Sequence, residues 1–116
     1  MDDAKKLARI FAAFAARTRV RIVELLHERP LCVGALSTRL GVTQGAVSQH
    51  LRVLRDMGVV KDEKRGCFVH YSLNDETLAE WRSAIDRFLQ TQESAQENYN
   101  MKEKEGKPCV GIGTDA

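Results

Sequence analysis

The side chains best suited to chemistry in this chain are amide, hydroxyl and guanidinium groups whose natural targets are nucleic-acid bases and phosphates. Gln44, Gly45, Ser48, Gln49 and Arg52 recur at spacings that place them on one face of a helix. A solvated helix face usually carries Glu and Lys, whereas Gln, Ser and Arg can hydrogen-bond to base edges and to phosphates. The pattern therefore favours DNA reading over an ordinary pair of packed helices.

Three cysteines, Cys32, Cys67 and Cys109, form the second group of candidate chemical residues. Their odd number and wide spacing do not indicate a disulfide framework, which leaves free thiols or metal ligands. Cys67 is expected to start a strand as a small residue without a chemical role, and Cys32 could equally be a buried residue at a helix start. Cys109 lies in a segment without the periodicity of a packed helix or strand, so its thiol is not needed for packing. This favours a role in metal ligation or in redox sensing.

The polar face must be held by a helix with defined ends, and the sequence contains a start signal and a stop signal for that helix. Val47, Leu51 and Leu54 form the opposite, apolar stripe of the same helix. Thr43 is a plausible N-cap, and Gly58 is a plausible C-terminal stop. Residues 33–40 read as a shorter amphipathic helix just upstream, and Gly41 provides the sharp turn between the two. This spacing is typical of a helix-turn-helix.

A basic hairpin is predicted to follow the two central helices. Residues 59–63 and 67–72 read as strands, and Lys64, Arg65 and Gly66 join them. A basic hairpin tip after a recognition helix is a wing that can contact the DNA backbone, although a charged turn can also serve only solubility. The predicted fold class is mainly α with a small β-hairpin, a winged helix-turn-helix.

The first and last helices carry more apolar surface than so small a core readily absorbs. Residues 4–16 and 17–28 read as helices, and Arg17, Arg19 and Arg21 of the second are expected to be mostly solvent-exposed, although one of them could reach a phosphate. The last helix is predicted over residues 75–96, capped by Asn74 or Asp75, with apolar residues spaced three, four and three apart. This seam could pack on its own domain, but a homodimer is favoured. The predicted dimer residues are Leu7, Phe11, Leu78, Trp81, Ile85 and Phe88.

Composition and charge limit the remaining possibilities. The chain has 116 residues, and we predict one domain over residues 1–96 with a flexible tail over 97–116. Residues 17–71 hold ten Lys/Arg and five Asp/Glu, a balance of +5, and residues 72–116 hold five and nine, a balance of −4. A basic centre suits a phosphate-binding surface. No apolar run is long enough for a membrane and the N-terminus has no secretory segment, so a cytoplasmic location is expected.

Three stretches together resemble the arsenical-repressor (ArsR/SmtB) family of metal-responsive repressors. They are TRVRIVELL, LCVGALSTRLGVTQGAVSQHLRVLRDMGVV and RGCFVHYSL, and the likeness covers about residues 7–92. The resemblance implies a winged-helix homodimer that binds a palindromic operator in double-stranded DNA, with the first and last helices at the dimer interface. The residues that it places at DNA-binding positions, together with the basic wing residues, are Thr43, Gln44, Gly45, Ser48, Gln49, His50, Arg52, Lys64 and Arg65.

The resemblance also implies a sensor, and here the chain departs from the family pattern. Metal-sensing members read like Leu-Cys-Val-Cys-Asp-Leu at this point, whereas this chain has Gly34 after Cys32 and Val33. The last helix has no histidine, so a zinc or nickel site there is not expected. Arsenite, antimonite or another soft ion could bind Cys32 with Cys109 replacing the lost partner, and Cys67 is a third candidate.

The sequence gives weaker support to three other functions. The same fold could respond to thiol oxidation in place of a metal, or it could be a winged-helix protein-interaction module, against which the basic centre argues. A cysteine-dependent enzyme would need a paired base, which the sequence does not show, so we predict no enzymatic activity. DNA binding itself is expected to need no cofactor.

Overall fold

The computed structural model describes residues 3–91, which form five helices and one three-stranded antiparallel sheet and so confirm the winged helix-turn-helix class. The elements in chain order are α1 (Asp3–Ala13), α2 (Arg17–Leu26), β1 (Leu31–Cys32), α3 (Val33–Leu40), α4 (Gln44–Asp56), β2 (Val60–Arg65), β3 (Phe68–Leu73) and α5 (Asp75–Leu89). Residues up to Ile85 form one compact unit, and a second begins at Asp86. The predicted boundary at residue 96 and the tail lie outside the described residues.

The core is built around the apolar stripe of α4. Val47, Leu51 and Leu54 are 0%, 1% and 0% exposed, as the periodicity predicts. They join one buried cluster with Ile22 of α2 and Leu36 of α3. Burial of each such side chain contributes about 1.5–3 kcal/mol relative to exposure, so this cluster fixes which face of α4 points outward. Among the described helices, none is long and apolar enough to cross a membrane.

Three predicted helices are shorter than expected, and the last of them ends at Leu89 and not at residue 96. The first ends at Ala13 and not at residue 16, because the amides of Phe14 and Ala15 bond three residues back in a tight final turn. The second ends at Leu26 and not at residue 28. Ile22 and Leu26 supply the buried face of this helix, and Val20 is 38% exposed.

The sheet corrects the predicted wing in two places. Arg65 pairs with Phe68, so Gly66 and Cys67 alone form the turn, and Lys64 and Arg65 belong to β2. Gly66 has φ 62°, a left-handed conformation that glycine adopts without steric cost. Cys67 therefore lies exposed at the hairpin tip and does not start a strand.

The second correction is a strand that the sequence did not indicate. β1 has only two residues, and it pairs with β3 so that the strand order is β1-β3-β2. A run this short shows no alternation of apolar and polar residues, which explains why the pattern missed it.

A candidate nucleic-acid interface and a neighbouring thiol

The turn between α3 and α4 is held by hydrogen bonds that fix where α4 begins. Gly41 has φ 71°, and its amide donates to the Ser37 carbonyl at 2.9 Å. The Ser37 hydroxyl donates to the carbonyl of Val42. Thr43 is the N-cap, as predicted, since its Oγ1 accepts from the Ala46 amide at 3.1 Å. The first turn of α4 is therefore set by its own sequence.

The outward face of α4 holds the residues that the sequence singled out for base reading. Gln44, Gly45, Ser48, Gln49 and Arg52 are all exposed, and the last four lie away from the buried stripe. The structure thus brings four of the five residues together on one surface of α4, whereas Gln44 lies nearer the stripe, with its Nε2 3.8 Å from the Cβ position of Gly34 in α3.

The far end of α4 closes in a Schellman motif. The amide of Gly58 donates to the Arg55 carbonyl at 2.9 Å, and that of Val59 donates to the Leu54 carbonyl at 2.8 Å. Gly58 has φ 83°, which agrees with its prediction as the helix stop. Both ends of the helix are therefore fixed by local hydrogen bonds.

A salt bridge that no sequence pattern predicted connects the wing to α4. Arg55 of α4 lies 3.2 Å from the Asp62 carboxylate of β2. On the same strand, Arg65 lies 3.5 Å from Glu63, so an acidic partner accompanies one of the two predicted wing contacts. Lys64 is exposed.

A cleft of about 180 Å³ separates α4 from β3. Its lining residues are Ser48, Leu51, Arg52, Arg55 and Tyr71. Arg55 follows Arg52 by three residues on one helix, a spacing that could have indicated it from sequence. Tyr71 needed the sheet register. Two guanidinium groups beside a phenol make this cleft suitable for a phosphate oxygen.

His50 points toward α2. Its Nδ1 lies 3.2 Å from Nη1 of Arg19. Arg19 also donates from Nε to the Ala13 carbonyl at 2.7 Å and from Nη2 to the Ala12 carbonyl at 3.0 Å. Arg19 was expected to be solvent-exposed, but it is partly buried between three elements.

Cys32 occupies the join between β1 and α3. It is half-buried and is the N-cap of α3, where its Sγ accepts from the Ala35 amide at 3.5 Å. Strand pairing sets it opposite His70 of β3, on the same face of the sheet. His70 was missed as a neighbour of this thiol, and its Nδ1 is buried without a hydrogen-bond partner among the described residues.

There is room for a side chain at Gly34 on the side that faces the Cys32 thiol. A Cβ added at Gly34 would lie 3.9 Å from Cys32 Sγ and 3.8 Å from Nε2 of Gln44, which are ordinary van der Waals distances. Within residues 3–91, no group of three His, Cys, Asp or Glu side chains could hold a metal ion. Cys109 lies outside those residues.

The predicted dimer residues differ in their exposure. Leu7, Leu78 and Ile85 are half-buried, and Phe11 is 41% exposed. Trp81 is 8% exposed and meets Phe14 edge-on with ring centroids 5.6 Å apart, so it packs within its own chain. In the second unit, Phe88 is exposed.

Known proteins resemble this chain over the region that holds these features. Residues 17–62 match the model of a family described as bacterial regulatory protein, arsR family. A transcriptional repressor SmtB homolog of Synechocystis sp. is 39% identical over 75 residues, which are 65% of this chain and 57% of that protein. The HTH-type transcriptional regulator Rv2034 of Mycobacterium tuberculosis is 44% identical over 80 residues, 69% of this chain and 75% of that protein.

A solved structure agrees. The crystal structure of a possible transcriptional regulator for arsenical resistance matches with a TM-score of 0.64 at 33% identity, over 75% of this chain and 91% of that one. These proteins are named as regulators and repressors, which confirms the prediction that the chain is not an enzyme.

Proposed function

The chain belongs to the arsR family of bacterial regulatory proteins, and we propose that it is a homodimeric repressor that binds a palindromic operator. In this proposal, the repressor leaves the operator when a thiophilic metal or metalloid such as arsenite binds its cysteine thiolates. DNA binding itself needs no cofactor.

The observation that carries the proposal is the exposed polar face of α4 beside a basic wing. Gln44 and Gln49 present amide groups that can pair with adenine in the major groove, and Arg52 can address a guanine or a phosphate. Lys64 and Arg65 on β2 stand where a wing contacts the DNA backbone. In a dimer, two copies of α4 would read half-sites about 34–36 Å apart.

Titration of the protein with its own promoter DNA and with random duplex DNA tests this function. We expect specific binding to be tighter by roughly 10³-fold or more at physiological salt, the lower end for specific regulators. Equal affinity for both duplexes would contradict the proposal and favour the protein-interaction module.

The partner in the dimer is a second copy of the chain. Phe11 on α1 is a large apolar side chain with 41% of its surface exposed, and a cleft of about 340 Å³ beside α1 has an apolar floor of Ile10, Met57 and Trp81. Phe11→Glu should give monomers that retain their helix content, whereas Lys5→Glu on the exposed side of α1 should stay dimeric. Light scattering at micromolar concentration, combined with circular dichroism, separates these outcomes. A monomeric unaltered protein would contradict the dimer.

The effector site is assigned to Cys32 with Cys109, and Cys67 remains a third candidate. Cys32 lies at the start of α3 with its sulfur half-buried, close to the first residue of α4. Arsenite and similar soft ions need more than one thiolate, and Cys109 is the thiol that lies outside the described residues. The exposed place of Cys67 at the hairpin tip sets it apart from Cys32. The solved structure described as a possible transcriptional regulator for arsenical resistance supports an effector of this class.

Effector release is tested by titrating arsenite, antimonite, cadmium or zinc into the operator complex of the reduced protein. Cys32→Ser and Cys109→Ser should each keep operator affinity while abolishing release, and Cys67→Ser is the matched control, with a smaller effect. Release from the Cys32→Ser complex at an unchanged arsenite concentration would exclude that thiol as a ligand.

A thiol redox switch is the second candidate, and the exposed thiol of Cys67 in the wing favours it, since oxidants reach accessible thiols first. Peroxide without added metal should then release the operator. In that case Cys67→Ser, and not Cys32→Ser, should remove the response.

A further inference from the structure

We propose that Arg19 is a positioning residue that sets the rotation of α4 against α1, and that His50 acts through Arg19 and not through DNA. The proposal rests on the proposed function, because its readout is operator affinity. It concerns two side chains that the α4 surface alone would not distinguish from base-reading residues.

The guanidinium group of Arg19 makes three contacts with other elements. Nε and Nη2 of Arg19 bind the carbonyls of Ala13 and Ala12 at 2.7 and 3.0 Å, and Nη1 lies 3.2 Å from Nδ1 of His50. The two carbonyls belong to the last turn of α1, where helix carbonyls lack an i+4 amide partner, and the Ala12 carbonyl also accepts from the Ala15 amide at 3.2 Å. Arg19 therefore closes the C-terminus of α1 and contacts the side of α4 with the same planar group.

The geometry also fixes what His50 can do. A guanidinium group only donates, so Nδ1 of His50 is the acceptor and the ring proton is on Nε2. With Nδ1 engaged, His50 is half-buried, while its neighbour Gln49 is exposed on the outer face of α4. His50 is thus directed to the protein interior. Its removal should lower operator affinity because α4 is held less firmly, and not because a DNA contact is lost.

A lysine could not replace this residue. An ammonium group is a point donor, whereas the planar fork of arginine reaches two carbonyls and an imidazole in fixed directions. The bond network links α1, the helix that carries Phe11, to the recognition helix α4. A shift of α1 would thus be transmitted to α4 through one side chain.

The first test compares Arg19→Ala and Arg19→Lys with Arg21→Ala in the full-length protein. Arg21 lies on the same helix and forms a surface pair with Glu24 at 3.8 Å, so its removal takes away the same charge and leaves the network in place. We expect both Arg19 variants to lose roughly tenfold in operator affinity, the size of a charged hydrogen bond, with little change on random DNA. The ratio of specific to random affinity should be unchanged in Arg21→Ala.

The salt dependence of binding gives a readout that a phosphate contact could not imitate. A residue that contacts phosphate lowers the salt slope by about one unit when removed, whereas a positioning residue leaves the slope unchanged. A reduced slope in Arg19→Ala, with equal loss on operator and random DNA, would overturn the proposal.

The second test uses two variants at His50 that each keep one nitrogen position of the ring. The Oδ1 of His50→Asn can take the place of Nδ1 and accept from Arg19, while the amide of His50→Gln extends to the place of Nε2. We expect His50→Asn to keep operator affinity and His50→Gln to lose it. Rescue by Gln and loss in Asn would mean that His50 contacts DNA through Nε2.

A double-mutant cycle completes the test. His50→Ala in an Arg19→Ala background should add little further loss, because the two residues act as one unit. Additive losses would overturn the proposal and leave the proposed function intact. An unaltered protein with no preference for its operator would instead overturn the proposed function, and this inference with it.

Discussion

The α4 surface and the start of α3, which are the proposed reading and sensing ends of this unit, differ in how many of their own contacts hold them in place. The α4 helix has a side-chain N-cap, a Schellman C-terminus, a buried stripe and a salt bridge to the wing. The start of α3 has one half-buried thiol, one imidazole across the strand and an open position at Gly34. The first region is preorganised for its target, whereas the second needs additional ligands to hold a metal ion.

The difference suggests how the two ends divide their work. A rigid reader limits the ordering cost on DNA, since its side chains already share one face. A sensor that is incomplete without its effector can couple effector binding to a change in structure, because completing it must draw further groups together.

Truncating a core side chain under α4 should have the largest effect on the DNA-reading region. Leu51→Ala should lower the free energy of unfolding by about 2–5 kcal/mol, because Leu51 is 1% exposed and its loss leaves a cavity under the recognition face. Val53→Ala on the same helix, at 37% exposure, should cost much less. Urea denaturation monitored by circular dichroism measures both. Equal losses would mean that the stripe does not support α4.

A smaller change should remove base reading without unfolding. Gln49→Ala should weaken operator binding by about 1–3 kcal/mol while leaving random DNA nearly unchanged, since one bidentate base contact is lost. Lys64→Ala in the wing should instead weaken both and lower the salt slope by about one unit. Fluorescence anisotropy at several salt concentrations separates the two. A uniform loss from Gln49→Ala would show that this residue binds backbone and not bases.

The proposed metal site at the start of α3 can be tested by adding a second thiol. A Cβ at Gly34 would stand 3.9 Å from Cys32 Sγ without a clash, so Gly34→Cys should create a dithiol and raise cadmium affinity by roughly tenfold, or about 1.4 kcal/mol. Gly34→Ser is the matched control, and it should leave affinity unchanged. Competition with a chromophoric chelator gives the constants. An unchanged affinity in Gly34→Cys would indicate that the start of α3 is not a metal site.

The smallest expected effect concerns the tether of the wing. Asp62→Ala removes the partner of Arg55, and because both side chains are about half exposed, the pair should contribute only about 0.2–1 kcal/mol to stability. Its effect on operator affinity should be of similar size, since the wing keeps its strand pairing. Thermal unfolding and anisotropy measure the two quantities. A loss above about 2 kcal/mol in either, beyond the range of an exposed pair, would mean that the salt bridge organises the interface.

The recognition helix was the most predictable part of the molecule, because its signals are local. The cap at Thr43, the stop at Gly58 and the stripe of Val47, Leu51 and Leu54 each depend on residues a few positions apart, and each is confirmed. The class of fold followed from these signals together with the hairpin. Local patterns thus located the face that would read DNA.

Contacts between distant residues could not be predicted in the same way. Arg19 and His50 are 31 positions apart, and nothing in a helical pattern distinguishes an arginine that caps a neighbouring helix from one that faces water. Cys32 and His70 meet only through the register of β1 with β3. The hairpin turn was misplaced, because β2 is exposed along most of its length and so lacks the alternation that marks a strand.

The open position at Gly34 has a consequence for how such a regulator changes over generations. Some glycine codons become cysteine codons by a single nucleotide change, and the surroundings of Gly34 accept a side chain at ordinary contact distances. One point mutation could therefore convert a chain with a single thiol at α3 into one with a dithiol, leaving the DNA-reading surface as it is. Descendants of one ancestor could in this way acquire different inducers while still governing the same genes.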